Sequence, residues 1–113
     1  MEGGHQKDMT EMVNTSLNNR KKDIEGVLKK KYSHFENKRM GYTVFQRNQW
    51  FFIVDSFTLA EGRRGVILIG YTTSLEDTKH YTFEDGAWMM MDEMNLEEMI
   101  KAAMIEIEEE TNG

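Results

Sequence analysis

Two short runs, Trp50–Val54 and Val66–Ile69, are apolar at every position. A strand wet on one side alternates apolar and polar residues, because successive side chains point to opposite faces of the sheet. Here both alternating sets are apolar. Trp50, Phe52 and Val54 stand against Phe51, Ile53, Phe57 and Leu59, and Val66 and Leu68 stand against Ile67, Ile69 and Tyr71. Both strands therefore belong at the centre of a sheet that is covered on two faces. Flanking helices can cover one face; the other calls for a second helix, a twin subunit or a partner.

The segment from Gly41 to Met91 carries the rest of that sheet. Strands are expected at Tyr42–Phe45, Trp50–Leu59, Val66–Thr73 and Lys79–Phe83, with a fifth at Ala87–Met91. Between them lie Arg47-Asn48-Gln49, Ala60–Gly65, Ser74–Thr78 and a tight turn at Glu84-Asp85-Gly86. Parallel neighbours need a long crossover, so connections this short require antiparallel pairing in chain order, a meander. The chain has no proline, so its turns rest on Gly, Asn, Asp and Ser.

Before the sheet, Met9, Val13, Leu17, Ile24, Val27, Leu28, Tyr32 and Phe35 recur at intervals of three, four and seven, the spacing of one helical face. The spacing predicts a helix over 19–35, interrupted or restarted near Ser16–Asn19 and ended by Glu36–Arg39. Residues 1–8 read as a flexible leader. After the sheet, Asn95 and Glu98 have capping-box spacing, and Met94 can staple onto Met99. Leu96, Met99, Ile100, Ala103, Met104 and Ile107 form the buried stripe that follows. Glu108–Glu110 oppose the helix macrodipole, so fraying is expected from there. The fold class is α+β: an N-terminal helix, a four- to five-stranded antiparallel meander and a C-terminal helix packed on the sheet, one domain over 9–113.

Composition narrows the functional classes. With 113 residues the chain can bury a core without staples. It has no cysteine, which excludes disulfides, thiolate metal sites and a cysteine nucleophile. No run approaches a membrane span, and the N-terminus lacks a signal-peptide pattern, so a cytoplasmic location is expected. Residues 1–60 hold 10 Lys/Arg against 7 Asp/Glu, and residues 61–113 hold 4 against 13. Such asymmetry can steer association with a charged partner.

Catalytic and metal chemistry find little support. No phosphate-binding motif is present, and Gly62-Arg63-Arg64-Gly65 reads first as a hairpin turn and only second as an anion loop. His5, His34 and His80 lie far apart without carboxylates at ligand spacing, so neither a metal nor a cofactor is expected. Asp55 interrupts the apolar face of its strand. It suits a hydrogen-bond acceptor near a strand end better than a base, and nothing in the spacing of Ser56, Ser74, His80 and Asp55 supports a triad. The basic stretch Arg20–Arg39 reads as a solvated helix face in an acidic chain, which argues against nucleic acid.

Two features point to protein binding. Methionine, adaptable and polarizable, is concentrated at Met89–Met91 beside the aromatic Trp88. Acidic residues gather on the expected loops. The candidate contact set is Asp77, Glu84, Asp85, Trp88, Met90, Asp92 and Glu93. The expected function is a small non-enzymatic protein-binding module, in concrete form an immunity- or antitoxin-type inhibitor that neutralises a basic partner such as a nuclease toxin. The alternatives are a homodimeric structural or accessory protein and a sensor of small anionic ligands using Arg63, Arg64 or the pocket between sheet and helix.

Overall fold

The computed structural model describes residues 2–59, 64–90 and 94–112, with backbone alone at 2–14, 85 and 87–90. Its elements run α1 (Glu2–Lys31), β1 (Ser33–Asn37), β2 (Tyr42–Arg47), β3 (Trp50–Thr58), β4 (Gly65–Thr72), α2 (Leu75–Lys79), β5 (Glu84–Met90) and α3 (Leu96–Glu110). The strands form one five-stranded sheet in chain order, and every neighbouring pair is antiparallel. This is the expected α+β meander with β3 and β4 at its centre.

Both long helices lie on one face. Leu17, Ile24 and Leu28 of α1 and Met99, Ala103 and Ile107 of α3 close over Phe45, Phe52, Val54, Ile67, Ile69 and Tyr71 of the sheet. Phe45 and Phe52 are register partners and stack at 5.5 Å, while Tyr32 meets Phe52 edge-on at the same distance. Burying a side chain of this size contributes about 1.5–3 kcal/mol, so this layer dominates stability. The Asn95–Glu98 capping box is formed, and Met94 packs on the core near fully buried Met99.

On the far face Val44, Ile53 and Val66 are also buried, and the segment after α2 lies against this face near Ile53. A Cβ built on Gly70 would lie 2.9 Å from the Cβ of Phe83, so Phe83 rests directly on the sheet where β4 has no side chain. The segment fills a structural gap. β2 and β3 pair only from Phe45 to Arg47 and Trp50 to Phe52, then separate. Tyr81 spans the separation, with its ring edge-on to Tyr42 of β2 at 4.9 Å and its hydroxyl donating to the Asp55 carboxylate of β3.

Four expectations require correction. The first helix does not reach Phe35: it ends at Lys31 and Ser33–Asn37 forms β1. Tyr32 turns into the core beside Phe52, and Phe35 becomes the register partner of Val44. Nor does the helix break near Ser16–Asn19; it is continuous. The expected strand at Lys79–Phe83 is absent, because Ser74 caps α2 by accepting the Asp77 amide at 3.1 Å, and the chain then turns back. Glu84–Gly86 is no tight turn but the start of β5, with a register shift near Gly70 and Tyr71.

The C-terminal end of α3 is a fifth difference. The helix continues to Glu110, and Thr111 behind it is fully buried. The β2–β3 hairpin supplies what the helix lacks. Arg47 donates to the Thr111 hydroxyl at 2.8 Å, Asn48 donates to the Thr111 carbonyl at 2.7 Å, and Lys31 meets Glu108 at 3.0 Å. Among the described residues, no helix is long and apolar enough to cross a membrane.

Candidate functional site

The turn between β1 and β2 and the short helix α2 meet at one corner of the far face. Gly41 closes the turn in the left-handed region (φ 77°), which its missing Cβ allows, and donates its amide to the Asn37 carbonyl at 2.7 Å. Asn37 pins the corner together. Its side-chain oxygen accepts the Met40 amide at 3.1 Å, while its nitrogen donates to the Tyr42 hydroxyl at 3.0 Å and to the Thr78 carbonyl of α2 at 3.3 Å. Thr78, itself buried, donates its hydroxyl to the Leu75 carbonyl at 2.6 Å.

A cleft of about 360 Å³ opens between these elements. Phe35 and Leu75 give it apolar walls and are 37 % and 50 % exposed, while Lys38, Arg39 and Lys79 stand around it. Lys79 pairs with Glu76 at 3.7 Å. Glu36, also in the lining, is taken by Lys29 at 3.5 Å and by the Thr43 hydroxyl. Lys38 and Arg39 have no ion-pair partner among the described residues. The arrangement suits an apolar group that carries negative charge beside it.

Of the expected contact residues, Asp77 and Glu84 are described with their side chains and Asp85, Trp88 and Met90 by backbone alone. Asp77 sits in α2, where its carboxylate accepts from Thr72 at 3.4 Å. Glu84 is exposed at the start of β5, and Asp85 follows it at the register shift. Trp88 and Met90 are the register partners of Leu68 and Val66 in β4. Asp92 and Glu93 lie outside the described residues. Of the basic stretch Arg20–Arg39, Lys29 and Lys31 are tied to Glu36 and Glu108, and Arg20 donates to the Met94 carbonyl at 2.8 Å. The cleft itself was not foreseen. The Ser74–Asp77 spacing is a helix-start signal that would have placed α2.

The residues weighed for catalysis are engaged elsewhere. Asp55 accepts the Tyr81 hydroxyl and the Ser56 amide. His80 faces Glu76 at 3.1 Å, an interaction that holds the Glu76 carboxyl below its ordinary range. The Ser74 hydroxyl caps α2. Burial, and after it the bond to Asp55, pushes the Tyr81 hydroxyl well above the ordinary phenol range. Glu25 on α1 is raised as well: burial outweighs Lys21 and Lys29, with Glu36 and Asp55 adding to the rise. Among the described residues no group of His, Asp or Glu is gathered to hold a metal ion. Of the anion loop foreseen at 62–65, positions 62 and 63 lie outside the described residues.

In comparison with known proteins, the chain matches no family model, no curated protein and no solved structure.

Proposed function

We propose that this chain is a non-enzymatic protein-binding module that docks its partner at the corner formed by β1, the β1–β2 turn and α2. One observation carries the reading. Five large apolar side chains are exposed among the described residues, and Phe35, Met40, Leu75 and Tyr81 all stand on these segments or on the chain leaving α2. Apolar surface gathered in one place on a small domain marks an interaction site. With Lys38 and Arg39 beside it, the complement is an acidic partner surface that carries an apolar anchor. That reverses the charge expected from composition alone.

The second reading keeps the inhibitor of a basic protein. It is favoured by exposed Glu84 with Asp85 next to it on edge strand β5, and by the six glutamates of α3.

A tagged chain captured from its native lysate at low and high salt separates the two, using L75E/R39E and E84K/D85K as variants. A stoichiometric partner lost from L75E/R39E and kept by E84K/D85K supports the corner. The opposite pattern transfers the function to the β5 edge and the inhibitor reading. A partner held by both variants, or none at all, would sink both.

A further inference from the structure

The two edges of the sheet are protected very differently. β5 begins with Glu84 and Asp85 and carries a register shift against β4, and charge and bulges are devices that keep an edge from pairing with another chain. β1, the opposite edge, has neither bulge nor lysine nor proline, and its five residues pair in unbroken register with β2. Ser33, His34, Phe35 and Glu36 are all exposed.

The sequence of this edge is complementary to itself. In Ser33-His34-Phe35-Glu36-Asn37, phenylalanine is central, an imidazole and a carboxylate flank it, and small polar residues close each end. An antiparallel copy about a two-fold axis at Phe35 sets Ser33 against Asn37, His34 against Glu36, and Phe35 against Phe35. Register partners share a sheet face. His34 packs near Phe45 of the helix-covered layer at 6.0 Å and Glu36 bonds Thr43, so the imidazole and carboxylate meet on one side. Phe35, edge-on to Phe51 at 6.2 Å, meets its twin on the other. Facing pairs of opposite character and of aromatic rings are the units that stabilise strand pairing, and a two-fold interface needs a surface that complements itself.

We infer that a second copy of this chain pairs through β1, joining two five-stranded sheets into one continuous ten-stranded sheet. The contact is short, so the dimer is weak and forms toward the upper end of the micromolar range. It overlaps the corner proposed above at Phe35, Glu36 and Asn37, whereas Lys38, Arg39 and Leu75 lie outside the five-residue pairing.

Sedimentation of the full chain from low-micromolar to near-millimolar concentration tests the pairing. Average mass is expected to climb toward twice the monomer, with amide exchange slowing over Ser33–Asn37 at the high end. H34E, which sets two carboxylates face to face, should abolish the rise, and H34E/E36H should restore it. A chain that stays monomeric throughout overturns the inference. So does a dimer that H34E leaves intact, or one formed without added protection of β1 in the wild-type chain, a readout that needs no variant to fold.

Discussion

Asn48 donates its side-chain amide to the carbonyl of Thr111 at 2.7 Å, and so ties the tip of the β2–β3 hairpin to the residue that ends α3. Both partners are in demanding positions. Asn48 has a left-handed backbone (φ 56°), and Thr111 is fully buried behind a helix whose last turn contains no basic residue. Replacing Asn48 with glycine keeps the backbone relaxed and removes only the bond, so N48G should cost about 1 kcal/mol. N48A keeps the Cβ in that region without the polar side chain that makes it tolerable for asparagine, and should cost roughly 1–2 kcal/mol more than N48G. Urea unfolding of the two variants checks the difference. Equal losses would mean that the tie to α3, absent from both variants, and not the backbone conformation, sets the stability there.

That tie shows where the sequence was legible and where it was not. The doubly apolar runs of β3 and β4 announced a central, two-sided sheet, and Asn95 with Glu98 announced the start of α3. These are local signals. β1 was hidden because Tyr32 and Phe35, three apart, imitate the continuing face of α1, while His34 and Glu36 give only a faint alternation. The end of α3 looked unstable because its compensating groups, Lys31, Arg47 and Asn48, are distant in the chain. The corner cleft depends on Asn37 reaching Thr78, 41 positions away. No periodicity reports a contact of that kind.

Phe83 rests on Gly70, and G70A tests whether the segment after α2 is held by this close approach. The added methyl would sit 2.9 Å from the Phe83 Cβ and 3.7 Å from Ile53. Neither neighbour is the free end of a flexible chain at its nearest point, since the first contact is a Cβ. A loss of about 1–3 kcal/mol is expected, as for overpacking elsewhere. Amide exchange of Tyr81–Phe83 should rise with it. Unchanged stability would show that the segment lifts off the sheet without penalty.

Glu25 makes acid stabilising over a limited range. Its folded pKa is raised by burial above the ordinary glutamate value of 4.5, so the folded chain binds this proton more tightly than the unfolded one. Its contribution therefore favours folding below pH 4.5 and is lost as the pH rises through the higher folded value. E25Q removes the charge and keeps the shape. It should melt higher than the wild type at neutral pH, with the gap closing as the pH falls through the carboxyl range. A gap that is constant with pH would remove Glu25 from the account.

Alkali should act in the opposite sense through the tyrosines. Tyr32, Tyr71 and Tyr81, three of the four in the chain, are raised above the ordinary phenol value of 10.0, and burial is the first cause in each. Tyr32 and Tyr71 hydroxyls are buried without a hydrogen-bond partner, which makes a phenolate at either especially unfavourable. The stabilisation is complete below pH 10, where folded and unfolded chains are both protonated. It declines above that as the unfolded chain ionises first. Tyrosinate absorbance should therefore appear steeply and together with loss of the circular dichroism of the fold, whereas in denaturant it should follow a smooth titration near pH 10. Y81F removes one hydroxyl at the gap between β2 and β3 and breaks the bond to Asp55, so it should reduce the cooperative amplitude by about one tyrosine. If all four tyrosines of the native chain titrate smoothly near pH 10 without unfolding, the hydroxyls are open to water and the packing of Tyr81 across that gap is not what holds the far face together.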